Sequence, residues 1–226
     1  MKIAIIADYN EKLRPHVATN EALEHSAKKL GFDLEVEWIS TKAVHNVEEK
    51  MKEFDGILVA PGSPCDEVMM QIIYFARTNN IATLGTCGGF QNIVIEYARN
   101  VLNISDAAHS EQDPSSDNLV VTPLVCSLAG QIHEVQITDK NSLSYRLFQK
   151  ESIMEKYYCS FGLNSSYELA FKESGFIPVG RDETEIRIME LQAHPFFLIT
   201  LFVPQDNSTF SDPHPIVTEF LRVASL

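Results

Sequence analysis

Gly85-Thr86-Cys87-Gly88-Gly89 is the segment of this chain best suited to covalent chemistry. It fits the G-x-nucleophile-x-G pattern of a strand-to-helix elbow. The glycines are needed because the nucleophile of such a turn sits in a strained conformation, and a Cβ nearby collides with neighbouring backbone. A helix starting behind Cys87 favours the thiolate, and the turn is expected to expose it. The N–H of Gly88 is placed to donate to an oxyanion, with a second donor expected from the turn at Pro61-Gly62-Ser63. The alternative is a glycine-rich turn around an inert cysteine, since a free cysteine often serves as a small core residue.

An elbow requires a strand before it and a helix after it. Residues 81–84 read as the strand. From Phe90 to about Leu102, Phe90, Ile93, Val94, Tyr97 and Val101 share one helical face. Upstream, residues 2–7 and 56–60 are short apolar runs of the kind buried on both sides in a parallel sheet. Residues 15–30 read as a helix stopped by Gly31. Leu34, Val36 and Trp38 alternate with charged residues as a strand does. Ser63, Pro64 and Asp66 resemble a capping box that starts a further helix. Strands alternating with helices predict a parallel sheet covered on both faces. The second half predicts strands over 119–125, 132–137, 177–181, 186–191 and 196–202, with a hairpin at Asp182-Glu183. A helix reaching Lys172 and a last one after Pro213 and Pro215 complete the pattern. The expected fold is α/β, its mainly parallel central sheet carrying antiparallel additions.

No stretch of the 226 residues is rich in glycine and serine and none repeats, so one domain over 1–226 is expected. Lysine and arginine number 18 against 31 aspartate and glutamate, a formal charge of −13. Without basic clusters, neither nucleic acid nor an anionic membrane is an expected partner. Cys65, Cys87, Cys126 and Cys159 form no C-x-x-C pair, and the apolar run at the N-terminus is too short for a signal peptide. Reduced thiols in the cytoplasm are therefore expected, and no motif calls for a metal or another cofactor.

The chain resembles the class I glutamine amidotransferase domain of the CTP synthase family nearly end to end. The resemblance is carried by KIAIIADYNEK, EALEHSAKKLG and LEVEWIS near the start, by LGTCGGFQNIVIEYARNVLNISDAAHSE around the cysteine, and by MELQAHPFFLITLFVPQ near the end. It implies a flavodoxin-like fold in which a cysteine attacks the side-chain amide of glutamine. A histidine serves as base and then acid, a glutamate orients it, and ammonia passes to a synthetase. Carried over position by position, Cys87 matches the nucleophile and Gly62 and Gly88 the oxyanion turns. Gln91 matches a substrate-contacting glutamine, and Glu111 an acid that holds the substrate ammonium group.

The pattern breaks at three positions. Where the family writes F-H-P-E, this chain reads Phe202-Val203-Pro204-Gln205, so Val203 and Gln205 stand at the places of the base and its orienter. Where the family writes H-R-H-R-Y-E, it reads Tyr157-Tyr158-Cys159-Ser160-Phe161-Gly162, and Ser160 takes the place of the arginine that grips the glutamine carboxylate. Loss of one triad member typically costs about 10⁴- to 10⁶-fold in turnover, so conventional glutaminase activity is not expected. Among the seven histidines, His109 is the best replacement base, against the plainer alternative of a solvated loop residue. Four readings stay open: Cys87-dependent chemistry on a small molecule, a non-catalytic regulatory or binding module, a thiol-based sensor, and a glutaminase with a replacement base or a synthetase partner in trans.

Overall fold

A computed structural model describes all 226 residues. The first half alternates as its apolar runs predict. It comprises β1 (Lys2–Ile6), α1 (Arg14–Leu30), β2 (Glu35–Ile39), α2 (Val47–Met51), β3 (Gly56–Val59), α3 (Glu67–Thr78), β4 (Ala82–Thr86) and α4 (Gly88–Asn100). The second half holds β5 (Ala108–His109), β6 (Leu119–Pro123), β7 (Ile132–Ile137), α5 (Leu143–Phe148), β8 (Ser152–Lys156) and β9 (Phe161–Leu163). It then continues through α6 (Glu168–Glu173), β10 (Phe176–Arg181), β11 (Ile186–Leu191), β12 (Phe197–Thr200) and α7 (Pro215–Ala224).

Nine strands form one sheet in the order β2-β1-β3-β4-β12-β11-β10-β7-β8. The run from β2 to β12 is parallel, and β11, β10, β7 and β8 add antiparallel pairings. This is the mixed sheet expected from the sequence. A smaller sheet, β5-β6-β9, lies apart from it. Helices α1 and α7 pack together, α2, α3 and α4 form a second group, and α4 and α7 both rest on β4. The central strands β3, β4 and β12 are buried at every residue, as their continuous apolar runs require. No helix is long and apolar enough to cross a membrane.

Two starts differ from the sequence reading. Helix α3 begins at Glu67, capped by Asp66, whose carboxylate accepts from the Met69 N–H at 2.8 Å. Ser63 is not its cap; its hydroxyl accepts instead from Asn92. The carboxylate of Asp66 is also held at 2.6 Å by the Thr41 hydroxyl, which fixes it at the helix end. Helix α4 begins at Gly88 rather than Phe90, directly behind the cysteine. Elements α2, α5, β5, β8 and β9 were not expected; α2, α5, β5 and β9 span too few residues for a period to declare itself, and the five residues of β8 lack the run of β-branched and aromatic residues that marks a strand. The final helix is capped by the His214 ring, whose Nδ1 accepts from the Ile216 N–H.

Candidate functional site

Residue Cys87 links β4 to α4 with φ 54° and ψ −107°, a conformation that costs a side-chain-bearing residue on the order of 1–3 kcal/mol. The surroundings impose it. The Cys87 N–H donates to the Thr200 carbonyl at 2.9 Å, because β12 runs parallel to β4 with Thr200 opposite Thr86. A Cβ on Gly89 would lie 2.0 Å from the Val59 carbonyl oxygen, so only glycine lets α4 approach the end of β3. A buried bidentate ion pair, Arg77 to Glu96, ties α4 to α3 two turns further on.

The turn after β3 lies beside the elbow. A Cβ on Gly88 would sit 2.9 Å from the Gly62 nitrogen, so the two glycine backbones face each other at close range. The Gly62 N–H donates to no other group. Asn92, one turn into α4 and buried, pins this turn by donating to the Ser63 hydroxyl and the Pro64 carbonyl, both at 2.9 Å. Gly62 and Gly88 thus bring two backbone N–H groups together beside Cys87, on a turn that Asn92 holds in place.

Cys87 opens onto a cavity of about 490 Å³. Gly62, Gly88, Gln91, His109, Glu111 and Ser160 share its wall with the cysteine, so one space gathers these residues from four separate segments. Val203 and Gln205 stand behind the wall. Val203 is fully buried, three residues beyond Thr200, and its N–H donates to the Lys156 carbonyl. Gln205 donates through Nε2 to the Thr86 hydroxyl at 3.0 Å, while its buried Oε1 has no partner. The end of β12 therefore runs alongside the elbow and presents an aliphatic and a neutral amide side chain there.

His109 lies against the Phe161 ring, centroids 4.7 Å apart. Its Nδ1 accepts from the Glu111 N–H at 3.1 Å, which leaves the proton on Nε2, directed at Gln91 Oε1 at 3.4 Å. Burial pushes its pKa down, against the opposing charge of Glu111. Gln91 in turn donates to the Phe161 carbonyl. A second imidazole, His16, lines the cavity without having been singled out from sequence. Its Nδ1 accepts from the Asn10 N–H and its Nε2 donates to the Pro61 carbonyl at 2.8 Å. Each ring has both nitrogens engaged, and neither is hydrogen-bonded to Cys87.

A neighbour of the sulfur is another cysteine. Cys159 shares the cavity wall, and its thiol donates to the Leu201 carbonyl at 3.3 Å. Interaction with that neighbouring thiol, with the Gly88 N–H, outweighs burial and lowers the Cys87 pKa. The same contact, reinforced by burial, raises that of Cys159 well above the ordinary thiol value. The sequence held no signal for this pair beyond the absence of a C-x-x-C motif, which speaks only to local pairs. The expectation that the turn exposes Cys87 is corrected: the residue is 7% accessible. The reason is that β12 and the segment around Cys159 close over it.

Tyr158 is fixed by its phenol, which donates to Asp206 at 2.6 Å. Burial works against the Asp206 charge, but hydrogen bonds from Lys156, Tyr158 and Arg14 outweigh it and hold the carboxyl below its ordinary pKa. Lys156 and Arg14 are thereby engaged outside the cavity. Glu111 is the only acid among the lining residues, and no lysine or arginine is present. Ser160 is bonded to the Ser127 hydroxyl at 2.7 Å.

Residues 16–197 match the family model for glutamine amidotransferase class-I. The chain is 31% identical over 240 residues to a CTP synthase from Cytophaga hutchinsonii, covering 100% of this chain and 44% of that protein. It is 31% identical over 239 residues to a CTP synthase from Sulfolobus acidocaldarius, covering 100% and 45%. It therefore spans less than half the length of these relatives. Among solved structures, the Trypanosoma brucei CTP synthase glutaminase domain with bound acivicin superimposes with TM-score 0.89 at 25% identity, over 99% of this chain and 93% of that one. A glutamine amidotransferase from Thermotoga maritima shares the fold, with TM-score 0.61 at 11% identity over 99% and 96% of the two chains.

Proposed function

Because the chain belongs to the class I glutamine amidotransferase family, we propose that it uses Cys87 as a nucleophile on a small molecule without conventional glutamine hydrolysis. The observation that carries this reading is the strained Cys87 beside the Gly62 and Gly88 N–H groups at the cavity wall. Strain of this kind and two aligned donors serve a tetrahedral oxyanion. A thiolate already favoured by Cys159 attacks without a base.

The same pocket argues for the kind of substrate. Ammonia leaves an amide only with a proton delivered to it, and Val203 and Gln205 supply none. A leaving group stable as an anion needs no such proton, so an activated acyl compound suits the site better than an amide. Glu111 attracts an amine, whereas a carboxylate meets Ser160 and no cation.

Two assays on the full chain test this. With p-nitrophenyl acetate, Cys87 should give a burst of p-nitrophenolate that Cys87→Ser abolishes. With glutamine, ammonia release should stay at background. A burst that survives Cys87→Ser removes the nucleophile, and rapid Cys87-dependent release of ammonia removes the claim against glutaminase chemistry. The second reading is a binding module that docks on a synthetase, favoured by the hydrogen bonds that occupy both cavity imidazoles. It predicts no burst and acivicin-sized ligands bound without a covalent adduct.

A further inference from the structure

Cys87 and Cys159 are anchored to consecutive residues of one chain segment. The Cys87 N–H donates to the Thr200 carbonyl and the Cys159 thiol to the Leu201 carbonyl at 3.3 Å. Both cysteines are unbridged, both are 7% accessible, and both line the same cavity. Cys65 is half-buried and does not line this cavity, and Cys126 is exposed. The molecule therefore holds one buried dithiol, reached only through a space that admits small molecules.

The two thiols are not equivalent. Cys87 sits at the N-terminus of α4, which favours its thiolate, whereas the Cys159 thiol keeps its proton on the Leu201 carbonyl, the division of labour between an attacking and a resolving cysteine. Burial restricts the oxidant to something small.

We propose that Cys87 and Cys159 form a redox pair, in which a small hydroperoxide oxidises Cys87 and Cys159 resolves it as an intramolecular disulfide. This rests on the reading of Cys87 as a nucleophile and adds a second cysteine to it. In the first step the Cys87 sulfur bonds to the outer peroxide oxygen and the O–O bond breaks. The departing oxygen leaves as water (or as an alcohol from an organic hydroperoxide) after taking up a proton, and Cys87 becomes a sulfenic acid, oxidised by two electrons. In the second step the Cys159 sulfur attacks the Cys87 sulfur, the S–S bond forms, the S–O bond breaks, and hydroxide leaves with the Cys159 proton as water. The disulfide removes the nucleophile from the cavity, and a dithiol reductant restores it.

The test uses the reduced full chain, hydrogen peroxide and peptide mapping without reductant. The expected product is a Cys87–Cys159 cross-linked peptide, loss of p-nitrophenyl acetate burst, and recovery of both thiols with dithiothreitol. In Cys159→Ser the disulfide should vanish, and dimedone should trap a sulfenic acid on Cys87. In Cys87→Ser, Cys159 should resist oxidation under the same dose. A Cys126–Cys159 or intermolecular link, or wild-type Cys87 passing to sulfinic acid while Cys159 stays free, overturns the pair. If the reduced protein still gives its burst in that event, Cys87 remains a nucleophile and only the pairing fails. If neither the burst nor peroxide modifies Cys87, the reading of Cys87 itself fails.

Discussion

The two sides of the cavity are built by different means. On one side, β3, β4 and α4 present main-chain groups: the Gly62 and Gly88 backbones and the Cys87 turn, locked by the approach of Gly89 to Val59. On the other, the ends of β8 and β12 and the start of β9 present side chains: Tyr158, Cys159 and Ser160 at the wall, with Val203 and Gln205 behind it. Main-chain groups of the first side are part of how the sheet and helix meet, so they persist while the fold persists. Side chains of the second side can be exchanged at the cost of their own contacts. We read the neutral far wall as the half of the site that sets which substrates react, and the elbow as the half that keeps a nucleophile available.

The elbow side should be the less tolerant. Gly89→Ala places a methyl group 2.0 Å from the Val59 carbonyl oxygen, and the shift needed to relieve it should cost about 3 kcal/mol or more. Urea unfolding measures this, and stability equal to the wild type would mean that the elbow is not locked by β3. The far wall should accept larger chemical changes for less. Val203→His with Gln205→Glu should cost roughly 1–3 kcal/mol for filling a packed site, with the new carboxylate accepting from the Thr86 hydroxyl in place of the present amide bond. The double variant should alkylate faster at Cys87 while hydrolysing glutamine poorly. Adding Ser160→Arg should then raise glutamine turnover by more than Ser160→Arg does alone, since carboxylate clamp and base act on one substrate pose. Ordinary amidotransferase turnover by the double variant would show that the pocket reads glutamine through other groups.

A smaller effect sharpens the comparison at the point where the two sides touch. Cys159→Ala removes the neighbouring thiol that favours the charged form of Cys87, so the Cys87 pKa should rise and its alkylation by iodoacetamide at neutral pH should slow. The rate against pH, read at the Cys87 peptide because Cys126 is the exposed thiol, should show its midpoint moved upward. An unmoved midpoint would assign the thiolate to Gly88 alone. The smallest change is expected from His109→Ala. Both nitrogens of that ring are occupied by Glu111 and Gln91, so Cys87 alkylation should stay within about twofold of wild type, well short of the 10²-fold or more that a general base contributes. A drop of that larger size would make His109 the base.

Sequence and fold contributed unequally to this picture. The glycines around Cys87, the apolar runs of β1, β3 and β4, the alternation of β2 and the polar pair Asp182-Glu183 are local signals, so the elbow, the parallel half of the sheet and the late hairpin were legible in the chain. The cap at Asp66 was misread because Ser63 and Asp66 both have the chemistry of a cap, and only the competing bond from Asn92 to Ser63 separates them. The short elements α2, α5, β5 and β9 carry too few residues for a period to emerge. What the sequence by itself determined was a cysteine on a turn that needs glycine, since close backbone packing restricts residue type at the turn itself. What only the tertiary structure decided was the company that cysteine keeps. His16 reaches the cavity because α1 starts against the turn after β3. Cys159 meets Cys87 because β12 is inserted beside β4 and offers successive carbonyls to both residues. Such meetings depend on strand order and register, which bring together residues whose local sequence carries no mark of the encounter.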